Sequence, residues 1–105
     1  MSLVILCTVP DLETARKIAL ALVEERLAAC VNIVPGLASV YRWQDKIVED
    51  SELLLVIKST EEKYRGLEAR IQSLHPYSVP EIIALPIDQG SKAYLGWIAQ
   101  STSED

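Results

Sequence analysis

Four short apolar runs constrain this chain more than any other feature, because none of them alternates. Leu3-Val4-Ile5-Leu6, Cys30-Val31, Leu53-Leu54-Leu55-Val56-Ile57 and Ile82-Ile83-Ala84-Leu85 are rich in branched side chains and short enough to be strands. A strand with one wet face alternates apolar and polar residues, so continuous apolar runs imply burial on both faces. Between the runs lie two segments with helical spacing. Asp11 stands as a cap before Leu12, Ala15, Ile18, Leu22 and Val23. Ser59-Thr60-Glu61-Glu62 has capping-box spacing before the stripe Tyr64, Leu67, Ile71 and Leu74. Pro35-Gly36 bends the second strand, which resumes over residues 38–43 before the polar turn Gln44-Asp45-Lys46.

The resulting order is strand, helix, strand, strand, helix, strand, followed by a short terminal helix around Tyr94, Leu95, Trp97 and Ile98. Residues 101–105 read as a polar tail. This order predicts an α+β fold, a ferredoxin-like βαββαβ two-layer sandwich with an extra C-terminal helix, as a single domain over residues 1–105. In such a sandwich both helices cover one sheet face. A chain of 105 residues has no second helical layer for the other, and one short helix cannot cover four strands. Other copies of the chain are the simplest cover.

The charge excludes whole classes of partner. Ten basic residues against 15 acidic ones give a formal net charge of -5, whereas a grip on nucleic acid or on an anionic membrane needs a basic face. Neither nucleic acid nor membrane is therefore expected as a partner; cations and proteins are. No basic segment precedes the apolar residues 3–9, and that run ends at Pro10-Asp11, so a cytoplasmic location is expected. Cys7 and Cys30 lie inside apolar runs and are read as reduced, buried thiols.

Candidate binding residues concentrate in His75-Pro76-Tyr77-Ser78-Val79-Pro80-Glu81, where two prolines stiffen the backbone around the only histidine. Imidazole is a versatile ligand and proton carrier. The same position equally fits a plain helix terminus, where a basic side chain suits the carbonyl end. Tyr41 and Trp43, two apart in an extended segment, project from one side as an aromatic shelf with Arg42 on the other. His75, Cys7 and Cys30 are the soft or borderline metal donors, but no C-x-x-C or H-x-x-H spacing unites them. The topology is further expected to put the end of the first strand and the end of the second helix at opposite edges, separating Cys7 from His75. No nucleophile elbow or phosphate-cradling loop is present, and a His and a Glu six apart are common by chance, so no enzymatic activity is expected.

Four segments in order carry a family resemblance. Residues 26–36 (RLAACVNIVPG), Ser39-Val40-Tyr41-Arg42-Trp43 followed by Lys46-Ile47 and Glu49, His75-Pro76-Tyr77-Ser78-Val79-Pro80-Glu81-Ile82-Ile83, and Tyr94-Leu95-Gly96-Trp97 together resemble the CutA family of divalent-cation tolerance proteins. The resemblance implies a compact homotrimer, in accord with the two-sided burial. It also implies tolerance of copper or another divalent cation, bound weakly or at shared sites, with metal contacts at Cys7 and His75 and no organic cofactor. His75 is taken as the more exposed ligand, and Cys7 as the more reactive thiol. Leu74 stands where some members carry a second histidine, and Asp45 where a hairpin glycine is common. A likeness to PII-type signalling trimers, at the level of fold and assembly, implies the alternative function. In it a small molecule or protein partner enters an intersubunit cleft lined by Tyr41, Trp43, His75, Tyr77 and Glu81.

Overall fold

The computed structural model describes residues 1–104. The elements follow the expected order: β1 (Ser2–Val9), α1 (Leu12–Glu24), β2 (Cys30–Trp43), β3 (Lys46–Thr60), α2 (Glu61–Leu74), β4 (Ile82–Pro86) and α3 (Lys92–Thr102). α3 takes in the first two residues of the segment read as a tail, while Asp105 lies outside the described residues.

The four strands form one antiparallel sheet in the order β2-β3-β1-β4. Register decides the layers. Ile5 pairs with Ile57 and Cys7 with Leu55, so the odd-numbered side of β1 and the side of β3 carrying Leu55 and Ile57 share a face. Leu3, Ile5, Cys7 and Val9 are buried there against Ala15, Ile18 and Leu22 of α1 and Leu67 and Ile71 of α2. Both helices therefore cover that face, each buried Leu or Ile contributing about 1.5–3 kcal/mol by removal from water. On the opposite face Val4, Leu6, Leu54 and Val56 are only half-buried. Ile83 and Leu85, which pair with Leu6 and Val4, stay 51% and 49% exposed. The missing alternation in the sequence is thus a second apolar face that one chain leaves largely uncovered.

The helix ends follow local chemistry. The Asp11 carboxylate accepts from Thr14 N–H at 2.8 Å and caps α1. The expected capping box on α2 does not form. Ser59 faces the core, and its hydroxyl donates to the Leu27 carbonyl instead. Thr60 makes no side-chain cap bond, and the Glu61 N–H donates to the Met1 carbonyl at 3.0 Å.

β2 and β3 are much longer than their neighbours. β1 pairs only with residues 53–60 of β3, so residues 46–52 have β2 as their sole strand partner and form a projecting two-stranded arm. The arm accounts for a long axis of 46 Å against 26 and 22 Å. Its tip is a two-residue turn in which Gln44 and Asp45 both have positive φ, 51° and 65°, the type I′ pattern. Where the arm leaves the sheet, Val34 pairs with Leu54 but Leu37 with Glu52, one extra residue on β2. Gly36, at φ +79°, absorbs this bulge. The bulge reverses the parity of β2: Ser39, Tyr41 and Trp43 pair opposite Asp50, Val48 and Lys46 and so share the face that carries Glu52.

Candidate functional site

α2 stops because His75, forced out of helical geometry by Pro76, adopts φ -83° and ψ 135°. The histidine then ties the following loop to the end of β1. Tyr77 N–H donates to Nδ1 at 3.2 Å, which leaves the proton on Nε2, and Nε2–H donates to the Thr8 carbonyl at 2.7 Å. The Tyr77 ring packs beside the imidazole with centroids 4.6 Å apart. The expected separation of Cys7 from the end of α2 is therefore corrected. β3 runs antiparallel to β1, so α2, which follows β3, returns along β1 and finishes beside its last residues.

From there Tyr77 reaches the arm. Its hydroxyl donates to Glu52 Oε2 at 2.8 Å, and Glu52 is only 6% exposed. Tyr41 donates to Asp50 in the same way. Loop and arm face each other where β1 ends, enclosing a cavity of about 550 Å³ lined by Thr8, Ser39, Tyr41, Trp43, Glu52, Tyr77, Ser78 and Glu81 among others. Tyr41, Trp43, Tyr77 and Glu81, expected to line a cleft between subunits, come together within one chain. His75 braces it from behind and is not among the lining residues. Glu52 is a site residue that the sequence analysis does not single out. Its signal is the alternation Asp50, Glu52 at the start of an apolar strand, which becomes informative only once the register with Tyr41 is known.

The carboxylates set the electrostatics. Burial, then its bond to Glu52, holds the Tyr77 phenol well above its ordinary value. The bond to Asp50 raises that of Tyr41. Burial pushes the Cys7 thiol up to about 12, with Glu81 and Glu52 adding to the shift. Cys7 has no exposed surface, whereas Cys30 is half-buried. The expected order of accessibility is thus reversed, because Cys7 lies on the face that α1 and α2 cover.

His75, expected as an exposed ligand, is 8% exposed, and both its nitrogens are engaged within the chain. Cys7 offers a buried, protonated thiol. Among the described residues no three His, Cys, Asp or Glu side chains are grouped to hold a metal ion. Within one chain the pair does not fit a metal in this conformation.

Fold and cleft define a small α+β domain of ferredoxin-like topology with a projecting hairpin arm and a stiff loop facing it. No helix among the described residues is long and apolar enough to cross a membrane. The chain belongs to the family of CutA1 divalent ion tolerance proteins, whose model matches residues 3–101. It is 60% identical over 102 residues to the divalent-cation tolerance protein CutA of Thermus thermophilus, covering 97% of this chain and 99% of that one. It is 50% identical to the chloroplastic protein CutA of Arabidopsis thaliana, covering 96% of this chain and 56% of that one. Among solved structures, the Thermus thermophilus protein superposes with a TM-score of 0.96 at 59% identity, covering 98% and 100% of the two chains. CutA from Xylella fastidiosa gives 0.95 at 42% identity, covering 97% and 98%. The family is named for tolerance of divalent ions, not for a reaction.

Proposed function

We propose that the chain works as a cytoplasmic homotrimer in divalent-cation tolerance, as a binding protein without catalytic activity, and that its contact site is the cleft between arm and loop. The observation that carries this reading is the cavity of about 550 Å³ in which Tyr41 and Trp43 from the arm meet Tyr77 and Glu81 from the loop. Assembly is supported by the exposed face holding Val34, Ile83 and Leu85 and by an arm with Val40 and Ile47 exposed on its other side. A two-stranded ribbon alone is marginal in water, so a neighbouring copy that covers it stabilises both. Copper or another divalent cation is bound weakly or at sites shared between copies, since Cys7 and His75 have no free donor within one chain. Light scattering at micromolar concentration tests the assembly: three protomers are expected, and a monomer refutes it. Calorimetric titration with copper tests the metal contact. Weak binding that survives His75→Ala is expected; tight binding abolished by that change refutes the reading.

A further inference from the structure

The charge distribution of the cleft selects a ligand class. The formally charged side chains on its wall are both acidic: Glu52 and Glu81 line it, and no Lys, Arg or His does. Asp50 adds a third carboxylate behind Tyr41. Both phenol hydroxyls donate to these carboxylates and not into the cavity. An entering molecule therefore meets the carboxylate oxygens, the hydroxyls of Thr8, Ser39 and Ser78, and the rings of Tyr41, Trp43 and Tyr77. A phosphate or carboxylate would find no cationic side chain to pair with. A bare divalent ion would find two lining carboxylates, and among the described residues no three His, Cys, Asp or Glu side chains are grouped to hold it, where hard cations take six or more oxygens. A cation whose charge is spread over an apolar body suits both parts of the wall, because carboxylates pair with its charge and aromatic faces attract it.

We propose that the cleft binds a small organic cation, with an ammonium or guanidinium head on a short apolar body, between the carboxylates of Glu52 and Glu81 and the rings of Trp43 and Tyr77. The inference rests on the reading of the cleft as the contact site and names its ligand class. Head-group recognition falls to Glu52, held in place by Tyr77, and to the exposed Glu81, with Trp43 as a lid on the apolar body.

The test is calorimetric titration of the 105-residue chain with agmatine, which carries a guanidinium and an ammonium. 1-Pentanol serves as a neutral comparison, and ATP and copper as competing classes. Saturable agmatine binding is expected, at least tenfold tighter than pentanol or ATP and weakened about tenfold by Glu52→Gln, by Glu81→Gln and by Trp43→Ala. Glu81 and Trp43 are surface-exposed, so those two variants decide the matter even if Glu52→Gln does not fold. No agmatine binding, binding unchanged in the Glu81 and Trp43 variants, or preferential binding of ATP or copper at these residues overturns the inference. Light scattering on the same samples separates the two claims. A trimer that ignores agmatine overturns the ligand class alone, whereas a monomer that binds it through these residues upholds the class and overturns the assembly.

Discussion

Replacing His75 by alanine separates a structural histidine from a metal ligand. The substitution removes the Nε2–H bond to the Thr8 carbonyl at 2.7 Å and the acceptor of the Tyr77 N–H at 3.2 Å. Each neutral hydrogen bond contributes about 1 kcal/mol net, and a buried group left without a partner costs about 1–3 kcal/mol. Two such groups are orphaned at a site only 8% exposed, so the expected loss of stability is about 2–6 kcal/mol, the upper end applying if water does not enter. The loop also loses the brace that holds Tyr77 toward Glu52. Equilibrium denaturation in urea measures the loss, with wild type and variant at the same protomer concentration because association contributes to apparent stability. Copper affinity, taken by calorimetry on the folded variant, is expected to change less than about twofold. The reasoning is refuted if His75→Ala is as stable as wild type within about 0.5 kcal/mol, the usual scatter of innocuous surface changes, while copper affinity collapses.

Cys30 should react with a thiol reagent before Cys7, since it is half-buried where Cys7 has no exposed surface; mass mapping of the singly labelled protein checks the order. Alkaline pH should destabilise the fold through Cys7, whose thiol is raised from 9.0 to about 12. Its contribution is fully present below pH 9 and is lost toward pH 12, because the unfolded thiol ionises while the folded one stays protonated, at most about 1.4 kcal/mol per pH unit. Tyr77 adds in the same direction, and urea titrations from pH 8 to 11 should give a shallower slope for Cys7→Ala. Gly36→Ala should cost about 1–2 kcal/mol for left-handed strain without loss of fold, since φ is +79° and an added Cβ meets nothing within 4 Å; a larger loss in thermal denaturation would mean that the bulge is itself an interface.

The bulge also shows why part of the site was legible in the sequence and part was not. Tyr41 and Trp43 could be put on one side of a strand from their spacing, and Tyr77 and Glu81 in one stiff loop from the prolines, because both are local properties of the backbone. That the two pairs face each other depends on one extra residue at Gly36, which turns Tyr41 and Trp43 to the face of Glu52. Glu52 itself, an acid opening an apolar strand, carried no local mark of burial.

The sequence by itself determined the elements and their order. Periodicity, the Asp11 cap and the prolines act within a few residues, and the non-alternating runs announced a second apolar face. Only the tertiary structure decided what the chemically interesting side chains do. His75 is engaged by a carbonyl 67 residues away in the chain, and Tyr77 by a carboxylate 25 residues away. Cys7 and Cys30 differ because one faces the helices and the other does not. Such pairings arise from sheet order and register, which bring distant residues together through the burial of a common face, and short-range spacing carries no record of them.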